Sequence, residues 1–349
     1  MMKILIVKLS AFGDIIHTLP ALNDLLEHPE VGEVHWLVDS RYAFVTGIFP
    51  PQVNVHQIDL KDSCRWWQTW KTIQSLKKKR FDAVLDLQGL IKSGVLARFI
   101  SDHVFGIDPH YVREKPNRYF THPVHFHPDE KHVVQQSRRI AAAPFSKLFP
   151  RNLEQIPEHP ISYREPHVPL TLKMEQAAEQ TLSQWGLESG SYVWLHLGGG
   201  WETKQLPQRT WENVTNGLAE AGLNPILGWG NDNEKKRAEN IKKRAELSFF
   251  PTEKLNIYQL CGILSKAKAV VGADTGVIHL AAALGVPTVS FWGPSASWRS
   301  GPLGNTDQHI ESNPTCSPCF KRNCNQFICM DMINADDILA AIDDVSSSR

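Results

Sequence analysis

The sequence predicts an α/β protein made of two successive strand and helix arrays. Three observations carry this: short apolar runs alternate with amphipathic helical stretches, a proline-rich segment interrupts the alternation once, and turns with glycine or acid follow the strands. Ile4 to Val7 is a continuous apolar run of buried-strand type. Ser10-Ala11-Phe12-Gly13-Asp14 leads from it into a helical pattern at Ile15, Leu19, Leu22, Leu25 and Leu26. Val34 to Val38 and Ala83 to Leu87 read as further buried strands, with helical segments near 67–79 and 90–100. Prolines at 144, 150, 157, 160, 166 and 169 then stop any periodicity, which places a domain boundary there. The alternation resumes with helices over Leu172 to Trp185, Thr210 to Ala221, Asn233 to Ala245 and Thr275 to Leu284. Strands are expected at Tyr192 to Leu197, Pro225 to Gly228, Ala269 to Ala273 and Thr288 to Trp292. Two such arrays imply two Rossmann-like domains facing across a cleft, over 1–165 and 170–325. A tail helix in 326–349 is expected to pack back on the first domain.

Composition narrows the function. The 349 residues include 37 Lys plus Arg and 37 Asp plus Glu, so there is no overall field with which to grip nucleic acid, and any anionic partner must meet a local patch. The start has only four consecutive apolar residues, Ile4 to Val7, too few for a secretion signal. No run approaches the ~20 apolar residues that span a bilayer, so a cytoplasmic protein is expected. Six cysteines in a reducing compartment argue against a disulfide framework. Four of them, Cys316, Cys319, Cys324 and Cys329, have a spacing that serves either a structural zinc or an ordered loop of reduced thiols.

In parallel sheets ligands bind beyond the carboxyl ends of strands, so loops there are the candidates for chemistry. Lys8-Leu9-Ser10-Ala11-Phe12-Gly13-Asp14 brings an acid to a helix start, and Asp14 reads equally as a first-turn acid favoured by the helix dipole. Ala273-Asp274-Thr275-Gly276-Val277-Ile278-His279 offers free helix-start N–H groups to a phosphate, or else an Asp cap with a packed histidine. Gly198-Gly199-Gly200 followed by Lys204 leaves backbone accessible beside a cation, or is a solvated surface loop. Gly228-Trp229-Gly230 leads to Glu234, which can hold ribose hydroxyls or stabilise its own helix start. No Asp-x-Asp tripeptide is present to suggest a metal-held diphosphate.

The order of these loops resembles that in the glycosyltransferase family 9 heptosyltransferases. The matching residues are Lys8 to Asp14 with His17-Thr18-Leu19-Pro20, Asp86-Leu87-Gln88-Gly89-Leu90-Ile91-Lys92-Ser93, Lys204, Trp229-Gly230 with Glu234, and Asp274 to Leu280 followed by Ala281-Ala282-Ala283-Leu284-Gly285-x-Pro287. The resemblance implies a GT-B fold, inverting transfer of heptose from ADP-heptose to the lipopolysaccharide inner core, and no required metal or cofactor. Carried over, Asp14 is the general base, Lys204 meets the diphosphate, Glu234 holds the ribose and Asp274 meets sugar hydroxyls. Thr275, Gly276 and His279 bind the diphosphate, and Ser10, Gly13, Gln88 and Lys92 contact the acceptor. The stretches around Asp14 and Asp86 are more like those of enzymes that add the first heptose to Kdo. The chain departs from that pattern after about 300, where the four clustered cysteines appear. Two rivals differ in kind: another nucleotide-sugar enzyme of the same fold with a different acceptor, which donor profiling separates, and a non-catalytic binding protein with a cysteine contact module, against which Asp14 beside intact donor loops argues.

Arg65 through Arg80 combines three tryptophans with six basic residues and no acid. This suits an anionic membrane surface at the cytoplasmic face of the inner membrane or a lipid A phosphate. It equally suits a helix whose Trp66, Trp70, Ile73 and Leu76 face the core.

Overall fold

The computed structural model describes residues 1–62, 64, 66–146 and 156–347. Arg65 and Pro150, which the sequence places in the basic stretch and the connector, lie outside the described residues, as do 348–349 of the tail. Contacts divide the chain into Met1–Pro166 and His167–Arg349.

The first unit runs β1 (Met2–Val7), α1 (Phe12–Glu27), β2 (Val31–Asp39), β3 (Val53–Ile58), α2 (Trp66–Lys78), β4 (Ala83–Asp86), α3 (Ile91–Ile100), β5 (Val104–Ile107), β6 (His122–Val124) and α4 (Val133–Ala142). Its six strands are all parallel in the order β3-β2-β1-β4-β5-β6. Ile4, Leu5, Ile6, Val84 and Leu85 are fully buried, as strands covered on both faces require. Because β1 pairs with β4, the turns carrying Asp14 and Gln88 emerge side by side.

The second unit runs α5 (Leu172–Trp185), β7 (Tyr192–His196), α6 (Gln208–Glu220), β8 (Asn224–Gly228), α7 (Asp232–Lys242), α8 (Ile257–Ser265), β9 (Ala269–Ala273), α9 (Gly276–Ala283), β10 (Thr288–Trp292), α10 (Ser297–Ser300), β11 (Asp307–Glu311) and α11 (Ala335–Ser347). Its parallel sheet has the order β11-β10-β9-β7-β8, so the loops after β9, β7 and β8 are neighbours. Helix α11 corrects one expectation. It packs on this unit, against α6, β9, β10 and β11, with Ile338, Ala341, Ile342 and Val345 buried in the unit's own core. The physical reason is a long apolar stripe with a waiting partner: Leu339 closes over Gly217 of α6, where an added Cβ would meet its Cδ1 at 2.5 Å.

Helix α2 divides between the two faces its sequence allows. Ile73 and Leu76 are buried, whereas Trp66, Trp67 and Trp70 are 62%, 53% and 40% exposed. No helix among the described residues is long and apolar enough to cross a membrane.

A buried histidine paired with a half-buried one makes the first sheet acid-sensitive. His35 Nε2 donates to Glu33 Oε2 at 3.1 Å, which leaves His35 Nδ1 to accept from His56 Nε2 at 2.8 Å. A proton added to His35 Nδ1 would face the N–H of His56 Nε2. Burial, then the charges of His35 and Lys79, push His56 down from 6.5 to about 4, and burial likewise lowers His35. Both groups bind protons more readily when unfolded, so their contribution is intact above about 6.5 and is lost as pH falls toward about 4. His56→Gln keeps an N–H for His35 but cannot titrate, so thermal melts should show a shallower loss of stability across this window than in the wild type. An equal slope would contradict the assignment.

Candidate active site

The site of the second unit is organised by Asp274, which ends β9 just before α9. Lys204 Nζ donates to Asp274 Oδ2 at 2.5 Å and to its carbonyl at 3.2 Å, and His279 Nε2 donates to Oδ1 at 3.0 Å. All three side chains are at least largely buried, at 10%, 12% and 4% exposure for Lys204, Asp274 and His279. Burial alone would raise the Asp274 carboxyl. The His279 hydrogen bond and the Lys204 charge outweigh it and hold the group well below the usual carboxylate range.

The three partners meet because β7 and β9 pair, which sets the loop after β7 beside the start of α9. Lys204 closes a short 3-10 turn, Glu202–Lys204, and its ammonium lies 4.3 Å from the Trp201 ring centroid. Arg322 covers the same ring at 5.2 Å, and Thr203 Oγ1 donates to the Lys321 carbonyl at 2.8 Å. The cysteine-bearing segment therefore braces the lysine loop. Among the described residues no three of its four thiols come within 4.8 Å of one another, while burial and then the nearby Cys319 and Cys316 push the Cys329 thiol up.

Helix α9 begins without a side-chain cap, and Thr275 Oγ1 is buried with no hydrogen-bond partner. Free N–H groups at Gly276 and beyond, with an ammonium held one residue away, form an anion-binding corner. His279, one turn inside α9, reaches the same corner with its Nε2 on Asp274 Oδ1.

Glu234 stands at the neighbouring strand end. Its Oε2 accepts from the Gly230 N–H at 2.6 Å and its Oε1 from Asn231 Nδ2 at 2.6 Å, so the carboxylate closes its own turn. Gly198 is needed here because a Cβ would sit 2.5 Å from Glu234 Oε1 and 2.9 Å from His196 Nε2. Burial lowers the His196 pKa and Glu234 partly restores it, which keeps the imidazole neutral. The sequence places His196 and Trp201 in the candidate loop without a role for either, and it does not single out Arg237, whose Nη2 donates to Gln205 Oε1. Arg237 lies three residues beyond Glu234 on the same helix, a spacing that points it to the same side.

In the first unit the expected residues gather around the paired turns. Gln88 Oε1 accepts from the N–H groups of Leu9 and Ser10, both at 2.9 Å, which stitches the two turns together. Asp86 is fully buried and accepts from Gln88 N, Gly89 N, Ser93 Oγ and Asn117 Nδ2, and burial pushes its carboxyl up. Gly13 and Asp14 lie in the first turn of α1. Asp14 is exposed, and its Oδ2 accepts from the Ala11 N–H at 3.2 Å. Lys92 is exposed at the start of α3 and makes no ion pair among the described residues.

Two parallel α/β units, one with an exposed carboxylate in the first turn of α1 and the other with a buried ammonium–carboxylate pair at an uncapped helix start, have the architecture of a nucleotide-sugar transferase. Comparison with known proteins agrees. The family model described as Glycosyltransferase family 9 (heptosyltransferase) matches residues 69–327. Lipopolysaccharide heptosyltransferase 1 of Pseudomonas aeruginosa is 31% identical over 340 residues, 93% of this chain and 87% of that protein. The structure resembles E. coli heptosyltransferase WaaC with ADP, with TM-score 0.70, 23% identity and coverage of 99% and 98%. It also resembles the family 9 glycosyl transferase of Veillonella parvula, with TM-score 0.79, 16% identity and coverage of 100% and 98%. The chain belongs to glycosyltransferase family 9, and its fold is of the GT-B class.

Asp274→Asn tests the anion corner. It leaves a buried ammonium without its counter-charge, and removing one partner of a buried pair costs about 3–5 kcal/mol. Urea unfolding at pH 7 should show a loss of that order, whereas a change below about 1 kcal/mol would mean that Lys204 does not depend on the carboxylate. Since the native carboxyl is depressed, this contribution is full above the unfolded value of 3.8 and is lost only as pH falls below it.

Proposed function

We propose that the protein is an inverting heptosyltransferase that moves heptose from ADP-heptose to the Kdo of the lipopolysaccharide inner core. The observation that carries this reading is the Lys204 ammonium fixed by Asp274 beside the uncapped start of α9. As ADP leaves, its diphosphate gains negative charge, and preorganised donors in a water-poor corner stabilise that charge more than they stabilise the bound substrate. Glu234 takes the ribose hydroxyls on the lone pairs left beside its bonds from Gly230 and Asn231, and Gly198 keeps a Cβ off that carboxylate. On the acceptor side Asp14 removes the hydroxyl proton as the oxygen attacks, and Ser10, Gly13, Gln88 and Lys92 line the acceptor's approach. The cap on Ala11 fixes one Asp14 oxygen and leaves the exposed carboxylate directed by its own turn.

Incubation of the purified protein with ADP-heptose and Kdo-lipid A should give an acceptor heavier by one heptosyl unit by mass spectrometry. Product from a different nucleotide sugar alone would overturn the donor assignment. Asp14→Asn retains the acceptor for the Ala11 N–H but cannot take a proton. Turnover should fall ~10²- to 10⁴-fold with ADP affinity unchanged, and a loss under about threefold would remove the general-base role.

The acceptor is a lipid, and α2 supplies a surface suited to its membrane. Trp66 and Trp67 stand exposed at an edge-to-face contact of 5.8 Å, and Lys71 lies 5.5 Å from the Trp67 ring. Indole rings enter the headgroup region while Lys77, Lys78 and Lys79 meet anionic lipid at about 1 kcal/mol each. Neutralising the three lysines together should weaken sedimentation with anionic vesicles by roughly two orders of magnitude and raise KM for the lipid acceptor, with KM for ADP-heptose unchanged. Equal vesicle binding at low salt would reduce α2 to a solvated helix.

A further inference from the structure

Two histidines share one buried carboxylate at the carboxyl edge of the first sheet. Asp108 directly follows β5, His110 lies two residues on, and His125 directly follows β6, the parallel neighbour of β5. Asp108 is 3% exposed. His110 Nδ1 donates to its Oδ1 at 2.9 Å and His125 Nδ1 to its Oδ2 at 3.0 Å. The backbone N–H groups of His110 and Phe126 donate to the same two oxygens at 2.8 and 3.2 Å. Those two bonds suffice to hold the turn. The convergence of both imidazoles on the carboxylate is extra, and one ligand atom from each of the three residues lies within 4.8 Å of the others.

We propose that Asp108, His110 and His125 form a binding site for one divalent transition-metal ion of the zinc class. Two imidazoles and a carboxylate are a donor set that such ions favour, with a further position left for water. The two Nδ1 atoms bond different oxygens of Asp108, and the three ligand atoms lie within 4.8 Å of one another; ligand atoms at zinc bond lengths stand about 3.3 Å apart around a tetrahedron, a closure that rotation of the exposed His110 ring can supply. On binding, each neutral ring moves its proton from Nδ1 to Nε2, and no proton is released overall. The His110 side chain is 82% exposed, which gives the ion its entry and its open position. The backbone donors to Asp108 hold the carboxylate in place as outer-shell partners do. An ion here ties the turn after β5 to the end of β6.

The test uses the full chain carrying Cys316→Ser and Cys319→Ser, stripped of metal with chelator, with Zn²⁺ titrated against a chromophoric competitor. One ion per chain is expected, and Co²⁺ in its place should show visible bands without thiolate charge transfer. His110→Ala and His125→Ala should each weaken binding at least ~10-fold, as much as loss of an outer-shell partner does. His110 is largely exposed, so its variant reports on binding even if the His125 variant unfolds. Absence of stoichiometric binding, or equal affinity in the His110 variant, would overturn the site.

Discussion

A single buried carboxylate at the end of β9 organises the second unit. An ammonium cannot be placed in a largely buried corner without a counter-charge, and Asp274 provides it at 2.5 Å. The same group receives His279 from the following helix, so one residue fixes the lysine loop, the histidine and the start of α9 together. The remaining features of the second unit serve that constraint. Trp201 packs against the ammonium, Arg322 and Lys321 hold the loop from the far side, and β9 is central in its sheet with both neighbours parallel.

The first unit has its own buried carboxylate, and the contrast between the two is instructive. Asp86 is surrounded by neutral donors, and desolvation wins: its pKa rises. Asp274 faces an ammonium and an imidazole, and its pKa falls. Environment thus separates a group that shapes a turn from one that balances a functional charge. Asp86 orders the turn through Gln88 and Gly89, and Gln88 then fixes the strand end from which Asp14 follows. Gly89 adopts φ +67°, and a Cβ there would fall 2.6 Å from Ile107 Cδ1.

Buried central strands were legible in the sequence because continuous apolar runs have few other uses, and β1, β4, β7, β9 and β10 lie where those runs are. Strands β3 and β11 escaped notice. They are edge strands, and sequences such as Val53-Asn54-Val55-His56-Gln57-Ile58 and Asp307 to Glu311 carry polar side chains on a half-exposed face. Strand β5 is a four-residue run interrupted by Gly106, and β6, of 3 residues with a central proline, is too short for a periodic signal. The loops that bear the site could be read, but the Lys204 to Asp274 pair spans 70 residues and exists only because β7 and β9 are neighbours. The partner of α11 and the outward tryptophans of α2 were hidden for the same reason: periodicity identifies a stripe, and packing decides what meets it.

In the proposed reaction Lys204 and the start of α9 hold the diphosphate. Calorimetric titration of ADP and AMP into the wild type and Lys204→Gln tests this directly. The wild type should bind ADP more tightly than AMP, and the gap should narrow in the variant by a factor of about ten, the usual worth of a charge-assisted contact. Equal affinities in the wild type, or an unchanged gap in the variant, would contradict it.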